Sequence, residues 1–258
     1  MTTESLSGKT ALVTGGSHGI GRAIAERLGH DGTFVALTYN SDRAAAADVV
    51  RSIEASGGRA LALQASLEER FAYVELFKRL DAEFTSRFGD TGLDIVVNNA
   101  GGAAFATFED ATPETFDLVF AIYARTPFFI IQAAAERLRD GGRVINISTG
   151  LSQRPSPQAP QPVYTMAKAG LNALSHALAA KLGARGITIN AVAPGWTDTK
   201  SNAPVLENRE LVETIEADTA LGRFGRPTDI ASVVAFLAGP DGAWVTGQYI
   251  EASGGYRL

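Results

Sequence analysis

The sequence contains no cysteine, and this absence excludes several kinds of chemistry. A chain without thiols forms no disulfide, has no thiolate nucleophile and offers no cysteine ligand to a metal. Only three histidines are present (His18, His30 and His176), and none of them clusters with carboxylates in the sequence. We therefore predict no metal site and no thiol chemistry.

Long hydrophobic runs and basic clusters are also missing. No run approaches the roughly 18 apolar residues that a membrane-spanning helix needs, and the polar stretch Met1–Lys9 lacks the apolar core of a secretion signal. The net charge is −5, and the 23 lysines and arginines are scattered along the chain. Nucleic acid and anionic membranes are therefore poor candidate partners, and we expect a soluble, cytoplasmic protein.

Short apolar runs typical of β-strands alternate with helical patterns along the 258 residues. Because these runs are almost continuously apolar, we expect parallel strands that helices cover on both faces, in a doubly wound α/β fold. No polar linker divides the chain. The predicted strand cores are 11–13, 34–37, 60–63, 95–97, 144–147 and 187–192, and two helical stripes follow Thr112-Pro113 and Pro227.

A glycine-rich turn follows the first predicted strand and opens a helix, in the order Thr14-Gly15-Gly16-Ser17-His18-Gly19-Ile20-Gly21. Glycines let a backbone approach a pyrophosphate closely, and the free N–H groups of a helix N-terminus attract its charge. The spacing Gly-x-x-x-Gly-x-Gly differs from the commoner Gly-x-Gly-x-x-Gly, and such a turn can also be purely structural. The turn indicates a nucleotide site only if other residues agree.

Tyr164 and Lys168 lie four residues apart in a predicted helix, so their side chains share one face. An ammonium group near a phenol stabilises the phenolate, and we expect Lys168 to lower the pKa of Tyr164 toward neutrality. The phenol would then act as a general acid and base. Ser148 and Thr149 end the strand 144–147, at the edge of the sheet where ligands bind in such folds. The alternative is an exposed helical pair.

The predicted helix 163–182 is apolar on two sides, with Leu171, Leu174, Leu178 and Leu182 on one and Ala169, Ala173 and Ala177 on the other. One face would lie on the sheet. The small-residue face would pack against another helix, either within the monomer or from a second subunit, and we expect a homo-oligomer, a dimer or a tetramer.

Five motifs in order from about Ser7 to Gly255 resemble the short-chain dehydrogenase/reductase family. They are Thr14-Gly15-x-x-x-Gly19-x-Gly21, Asn98-Asn99-Ala100-Gly101, Tyr164-x-x-x-Lys168, Pro194-Gly195, and Thr246-Gly247 with Gly254-Gly255. The resemblance implies one Rossmann-type domain over residues 1–258, a three-layer sandwich whose central, mainly parallel sheet has about seven strands. It also implies a nicotinamide cofactor and hydride transfer between a ketone and a secondary alcohol.

The resemblance assigns roles to individual residues. Tyr164 would donate the proton, Lys168 would tune its pKa and bind ribose, and Ser148, Thr149 and Tyr123 complete the candidate catalytic set. The candidate cofactor-binding residues are Gly15, Ser17, His18, Gly19, Ile20, Gly21, Tyr39, Asn40, Ser41, Arg43, Ser66, Asn98, Ala100, Gly101, Tyr164, Lys168, Pro194, Gly195, Thr197 and Thr199.

Three positions depart from the family's pattern. Thr149 stands where the family usually has the substrate-polarising serine, which is a mild change because both are hydroxyls. Ser66 stands where an aspartate commonly contacts adenine. Tyr123 stands where an asparagine usually holds a proton-relay water, and this puts the relay in doubt.

Cofactor choice depends on the end of the second strand. A site for NAD(H) needs a carboxylate there, but the residues are Tyr39, Asn40 and Ser41. With Arg43 and His18 available to a 2′-phosphate, we expect NADP(H) to be favoured over NAD(H). Alternatively, Asp42 only caps the next helix and Arg43 is solvated.

These observations favour an NADP(H)-dependent carbonyl reductase acting on a small-molecule ketone or alcohol. The alternative is a non-redox member of the fold, either a binding or regulatory protein or a cyclase- or dehydratase-like enzyme. Tyr123 at the relay position favours this alternative. The substrate itself is not readable. We expect the proline-rich loop 154–162 and the side chains of Phe105, Tyr123 and Trp196 to form pocket walls, and the segment 200–221 to form a lid.

Overall fold

The computed structural model describes residues 6–102 and 105–258 of the chain, and a seven-stranded, all-parallel sheet runs through its centre. The strand order is β3-β2-β1-β4-β5-β6-β7. The strands are β1 Thr10–Val13, β2 Phe34–Tyr39, β3 Arg59–Gln64, β4 Leu93–Asn98, β5 Leu138–Ile147, β6 Thr188–Pro194 and β7 Tyr249–Ala252. The predicted doubly wound, seven-stranded fold is confirmed.

Helices cover both faces of this sheet. They are α1 Gly19–His30, α2 Arg43–Ala55, α3 Ala72–Phe88, α4 Pro113–Phe120, α5 Thr126–Ala135, α6 Pro162–Gly183, α7 Ala203–Leu206, α8 Arg209–Ala217 and α9 Pro227–Ala238. Apolar faces of α1, α2 and α9 form one core with the sheet, and those of α3, α5 and α6 form the other. Every residue of β1, β2, β4 and β6 is buried, which explains their continuous apolar character.

Helices α4 and α9 follow the sequence pattern, α4 in its capping chemistry and α9 in its buried stripe. The Thr112 hydroxyl accepts a hydrogen bond from the Thr115 N–H at 3.2 Å, and Pro113 occupies the first turn of α4. In α9, the stripe Ile230, Val234 and Leu237 is buried against the sheet, as predicted.

Strand β7 is the element that the periodicity did not reveal. Its four residues are only half-buried and include Glu251, so they lack the apolar signature of the inner strands. It joins the sheet edge by pairing Ala191–Pro194 of β6 with Tyr249–Ala252.

One helical segment differs from the sequence expectation. Helix α4, a π-helical turn at Ala121–Arg125 and helix α5 run on continuously from Pro113 to Ala135, long and apolar enough to cross a membrane. The prediction that no run approaches the apolar residues that a spanning helix needs is therefore wrong. The second half of the segment packs in the core, where Ile130, Ile131 and Ala134 are buried against the sheet.

The two apolar faces that the sequence shows on helix α6 have different surroundings. Leu171 and Leu182 are buried, and Leu174 and Leu178 pack on the same core. Ala173 and Ala177 are exposed on the outer surface and Ala169 is partly exposed, so the small-residue face does not pack within the described part of the monomer. Its coverage by a second subunit stays a prediction.

Candidate active site

The glycine-rich turn between β1 and α1 has a backbone that only glycine fits. Gly15 and Gly19 have φ angles of +64° and +52°. A Cβ on Gly15 would lie 2.7 Å from the Ala100 Cα, and one on Gly21 would lie 2.1 Å from the Gly15 carbonyl oxygen. Within the described chain, the N-cap residue His18 makes no side-chain hydrogen bond to the first turn of α1. The backbone N–H groups in the first turn of α1 are therefore available to a phosphate group, which would accept hydrogen bonds from them.

Asn99 holds the turn in place. Its side-chain amide donates to the carbonyl oxygens of Thr14 and Gly15, both at 3.0 Å. The Thr14 hydroxyl in return accepts from the N–H groups of Asn99 and Ala100, at 3.0 and 2.9 Å. The sequence places Asn99 in a motif but does not indicate this role. The pairing of β1 with β4 brings Asn99 to the turn.

A cavity of about 820 Å³ opens at the carboxyl edge of the sheet. It contains all five candidate catalytic residues (Ser148, Thr149, Tyr164, Lys168 and Tyr123) among its lining side chains. The candidate cofactor residues in its lining are Gly15, Ser17, His18, Gly19, Ile20, Gly21, Tyr39, Asn40, Ser41, Ala100, Gly101, Tyr164, Lys168, Pro194, Gly195, Thr197 and Thr199.

Three candidate cofactor residues lie outside that lining. Asn98 is buried, and its amide donates to Asn146 at 2.9 Å, so it ties β4 to β5 rather than facing the cavity. The Ser66 hydroxyl donates to the Asn40 side-chain oxygen at 2.9 Å and thereby orients a residue that does line the cavity. Arg43 is exposed in the first turn of α2.

The end of the cavity near α1 and α2 has its own charge arrangement. Asp42 accepts from the Ala45 N–H at 2.9 Å, as a helix cap, and its other oxygen lies 3.2 Å from His18 Nε2. The Ala45 hydrogen bond lowers the pKa of Asp42, with further lowering from His18 and Lys200. Lys200 lines the cavity, and sequence reasoning did not single it out.

The segment after β6 crosses the glycine-rich turn. A Cβ on Gly19 would lie 3.3 Å from the Thr199 Cγ2, so Thr199 rests directly on the turn. The next residues, Lys200–Asn202, form a 3-10 turn that lines the cavity together with Pro204 and Val205. The first part of the predicted lid therefore lies beside the candidate phosphate site.

Tyr164, Thr149 and Lys168 meet at the floor of the cavity. The Thr149 side chain lies close enough to the Tyr164 phenol to lower its pKa. Lys168 is 4% exposed, and its Nζ donates to the Ile147 carbonyl oxygen at 2.5 Å. The Ser148 hydroxyl donates to the Lys168 backbone carbonyl at 3.3 Å, so it ties β5 to α6. Thr149 is thus the hydroxyl that stands next to the phenol.

The electrostatics of this group differ from the sequence expectation. Burial raises the pKa of Tyr164 to about 12, and the nearby Thr149 side chain opposes this rise. Burial also lowers the pKa of Lys168 to about 7. Because the Lys168 Nζ lies 6.0 Å from the Tyr164 ring centroid and loses charge readily, the prediction that it draws the Tyr164 pKa toward neutrality is wrong here.

Tyr123 packs beside both groups from the π-helical turn. Its hydroxyl donates to the Gly102 carbonyl oxygen at 2.5 Å and accepts from the Gly102 N–H at 3.2 Å. Its ring lies edge-on to the Tyr164 ring at 5.0 Å, and the Lys168 Nζ is 4.8 Å from its centroid. Burial raises the pKa of Tyr123, so the phenol stays protonated. Tyr123 anchors the loop after β4 in this structure.

Aromatic and proline-rich segments complete the cavity. The Phe105 ring is edge-on to the Tyr164 ring at 5.2 Å, and Trp196 lines the opposite side near Phe224. The loop 154–162 contributes Arg154, Gln158, Ala159 and Gln161 to the lining. Among the described residues, no group of three or more histidines and carboxylates could hold a metal ion.

Comparison with known proteins shows which family the chain belongs to. The profile of the family described as enoyl-(acyl carrier protein) reductase matches residues 15–257. An uncharacterised oxidoreductase of Methylorubrum extorquens is 40% identical over 98% of this chain and 99% of its own length. A hydroxynaphthalene reductase-like protein of Metarhizium brunneum is 38% identical over 98% of this chain and 97% of its own.

A solved structure shares the whole architecture. The angucycline C-6 ketoreductase LanV with bound NADP superposes with a TM-score of 0.93 and is 46% identical, covering 98% of this chain and 97% of that one. Another structure of LanV contains NADP and rabelomycin and superposes with a TM-score of 0.90. The chain belongs to the short-chain dehydrogenase/reductase family. Its relatives are oxidoreductases, among them ketoreductases.

Proposed function

We propose that this protein is an NADP(H)-dependent ketoreductase that interconverts a ketone and a secondary alcohol. The observation that carries the proposal is the Tyr164 phenol, which lies beside the Thr149 side chain in a cavity that also includes the glycine-rich turn. A protonated phenol beside a second hydroxyl is suited to hold a carbonyl oxygen and to give it a proton.

The side chains divide the proton chemistry between them. Because the pKa of Tyr164 is about 12, its phenol keeps its proton at neutral pH and can donate it to a developing alkoxide. Thr149 donates a hydrogen bond to the same oxygen. Lys168, with a pKa of about 7, gains and releases a proton at Nζ near neutrality. When bound, the nicotinamide ring supplies or accepts the hydride.

Three features support NADP(H) over NAD(H). Tyr39, Asn40 and Ser41 place no carboxylate at the end of β2, and Asp42 is already engaged by the Ala45 N–H and by His18. Lys200 adds a cation to this end of the cavity. The LanV structures contain NADP. A 2′-phosphate would be recognised here through His18 and Lys200 rather than through Arg43.

The cavity walls support an aromatic ketone as the substrate. Phe105, Leu118, Ile122 and Trp196 line it with apolar and aromatic surface. The relatives include an angucycline ketoreductase and a hydroxynaphthalene reductase-like protein, whose names refer to fused aromatic rings. We also propose that the protein works in the cytoplasm as a homo-oligomer that covers the outer face of α6, without a nucleic-acid or membrane partner.

The alternative, a non-redox member of the family, rests on Tyr123. Its hydroxyl is bound to Gly102, so it does not replace the relay asparagine as a group that holds water for Lys168. The intact group of Tyr164, Thr149 and Lys168 favours the redox function, because a binding protein needs no such proton donor.

The test combines cofactor binding with turnover. Titration of cofactor fluorescence should give tighter binding of NADPH than of NADH, and absorbance should show NADPH oxidation with at least one aromatic ketone in a panel. Lys200→Met should weaken NADPH about tenfold and leave NADH nearly unchanged. Arg43→Met, an exposed cation outside the cavity lining, is the matched control. Equal binding of both cofactors would contradict the cofactor assignment, and binding without any turnover would favour the non-redox alternative.

A further inference from the structure

One wall of the cavity contains an ion pair that the proposed proton chemistry does not use. The Arg154 Nε lies 3.0 Å from the Glu251 Oε2, and the two side chains are 33% and 18% exposed. The Ser253 hydroxyl donates to the other Glu251 oxygen at 2.7 Å. All three residues line the cavity. Withdrawing charges from water has a cost, so an ion pair that faces a binding cavity is a candidate for ligand recognition.

This pair lies next to the position of the reacting carbonyl. Arg154 follows the turn that begins after Thr149, and its N–H donates to the Gly150 carbonyl oxygen at 2.9 Å. A Cβ on Gly150 would lie 4.0 Å from the Glu251 Oε1. The Tyr249 hydroxyl, also from β7, donates to the Thr149 carbonyl oxygen at 3.4 Å. Arg154 and Glu251 therefore lie beside the backbone of Thr149 and Gly150, and they line the same cavity as the Thr149 side chain.

The two side chains have hydrogen-bonding capacity to spare. A guanidinium group carries five N–H donors, and the described contacts use two of them, toward Glu251 and toward the Arg257 carbonyl oxygen at 3.0 Å. A carboxylate accepts several hydrogen bonds. A phenolic or enolic hydroxyl complements both partners, because it donates to Glu251 and accepts from Arg154. A methyl ether at the same place can only accept.

We propose that Arg154 and Glu251 form a subsite for a free hydroxyl group on the substrate, and that the substrates are hydroxylated aromatic ketones. This inference rests on the proposed function and names the substrate class of the same cavity. A merely structural role for the pair, tying the loop 154–162 to the C-terminal segment, would affect hydroxylated and methylated ketones equally.

The experiment compares ring-hydroxylated 1-tetralones with their methyl ethers, for hydroxyls at each of the four aromatic positions. Dissociation constants in the presence of NADP⁺ and kcat/KM with NADPH are measured for each pair. Wild-type protein should prefer at least one hydroxy ketone over its ether by about tenfold to a hundredfold. Arg154→Met and Glu251→Gln should each reduce that ratio to near one, and Arg154→Lys should restore part of it.

The ratio does not depend on how much of each variant is folded. Arg185→Met, which removes an exposed ion pair with Asp140 outside the cavity lining, is the control and should keep the wild-type ratio. A wild-type ratio near one at every ring position, or an unchanged ratio in Arg154→Met and Glu251→Gln, would overturn the subsite. A binding preference without turnover would support the subsite and contradict the ketoreductase function. Turnover without a preference would support the ketoreductase function and contradict the subsite.

Discussion

Lys168 shows how burial, rather than the neighbouring phenol, controls the charge of a single residue. Its side chain is almost fully buried between the Tyr123 ring and the Ile147 carbonyl group, and this burial lowers its pKa from 10.5 to about 7. The spacing of Tyr164 and Lys168 was readable from the sequence. The depth of burial was not, because it depends on the ring of Tyr123 from another helix.

The lowered pKa of Lys168 predicts a pH-dependent stability. Between pH 7 and pH 10.5 the unfolded chain holds a proton on this amine that the folded protein releases, so the folded state gains stability as the pH rises through this window. From pH 7 to pH 9, the free energy of unfolding of the wild type should rise relative to Lys168→Met by about 1 to 2 kcal/mol.

Urea unfolding at the two pH values, without added cofactor, measures this difference. Lys181→Met, at an exposed position near the end of the same helix, should show no such change relative to the wild type. The raised pKa of Tyr164 affects the free energy of unfolding only above about pH 10, outside the range from pH 7 to pH 9. A wild-type stability that stays level or falls relative to Lys168→Met would contradict the assigned burial effect.

At the scale of elements, the π-helical turn at Ala121–Arg125 shapes the candidate active site. It directs Tyr123 toward Gly102, so that one side chain fastens the loop after β4 and borders Tyr164 and Lys168. The sequence identified Tyr123 as a departure from the family's pattern. It did not reveal the anchoring role, since the hydrogen bonds to Gly102 join segments 21 residues apart.

Replacing Tyr123 separates an anchoring role from an impaired proton relay. Tyr123→Phe removes both hydrogen bonds to Gly102 and should lower the free energy of unfolding by about 1 to 3 kcal/mol. Tyr123→Asn also leaves a void, so we expect a larger loss, about 2 to 5 kcal/mol, together with slower ketone reduction. Melting temperature and kcat are measured for both variants. Faster turnover of Tyr123→Asn would show instead that the tyrosine obstructs a relay that asparagine restores.

Elements differed in how far the sequence predicted them. The inner strands and α9 were predictable because burial on both sheet faces, or on one helix face, leaves a regular apolar pattern. Strand β7 escaped because a half-buried edge strand lacks that pattern. At the cofactor end of the cavity, the sequence predicted the glycine-rich turn, but it did not predict that Asn99 and Lys200 lie there. Their positions depend on β1–β4 pairing and on the path of the chain after β6.

For the whole molecule, the parallel sheet explains why distant segments share one cavity. The glycine-rich turn follows β1, Thr149 follows β5, and Thr199 follows β6, and parallel strands bring all three to the same edge. Tyr164 and Lys168 reach that edge from α6, which packs on the same sheet. We propose that this cavity reduces a ketone with Tyr164 as the proton donor.

The most direct test measures NADPH oxidation and NADPH binding for Tyr164→Phe beside the wild type, with an aromatic ketone that the wild type reduces. The substitution removes one hydroxyl and keeps the ring, so the dissociation constant for NADPH should stay within about twofold. The account predicts a fall in kcat of about 10²- to 10⁴-fold. A kcat within about tenfold of the wild type would contradict it, because the proton would then come from another group.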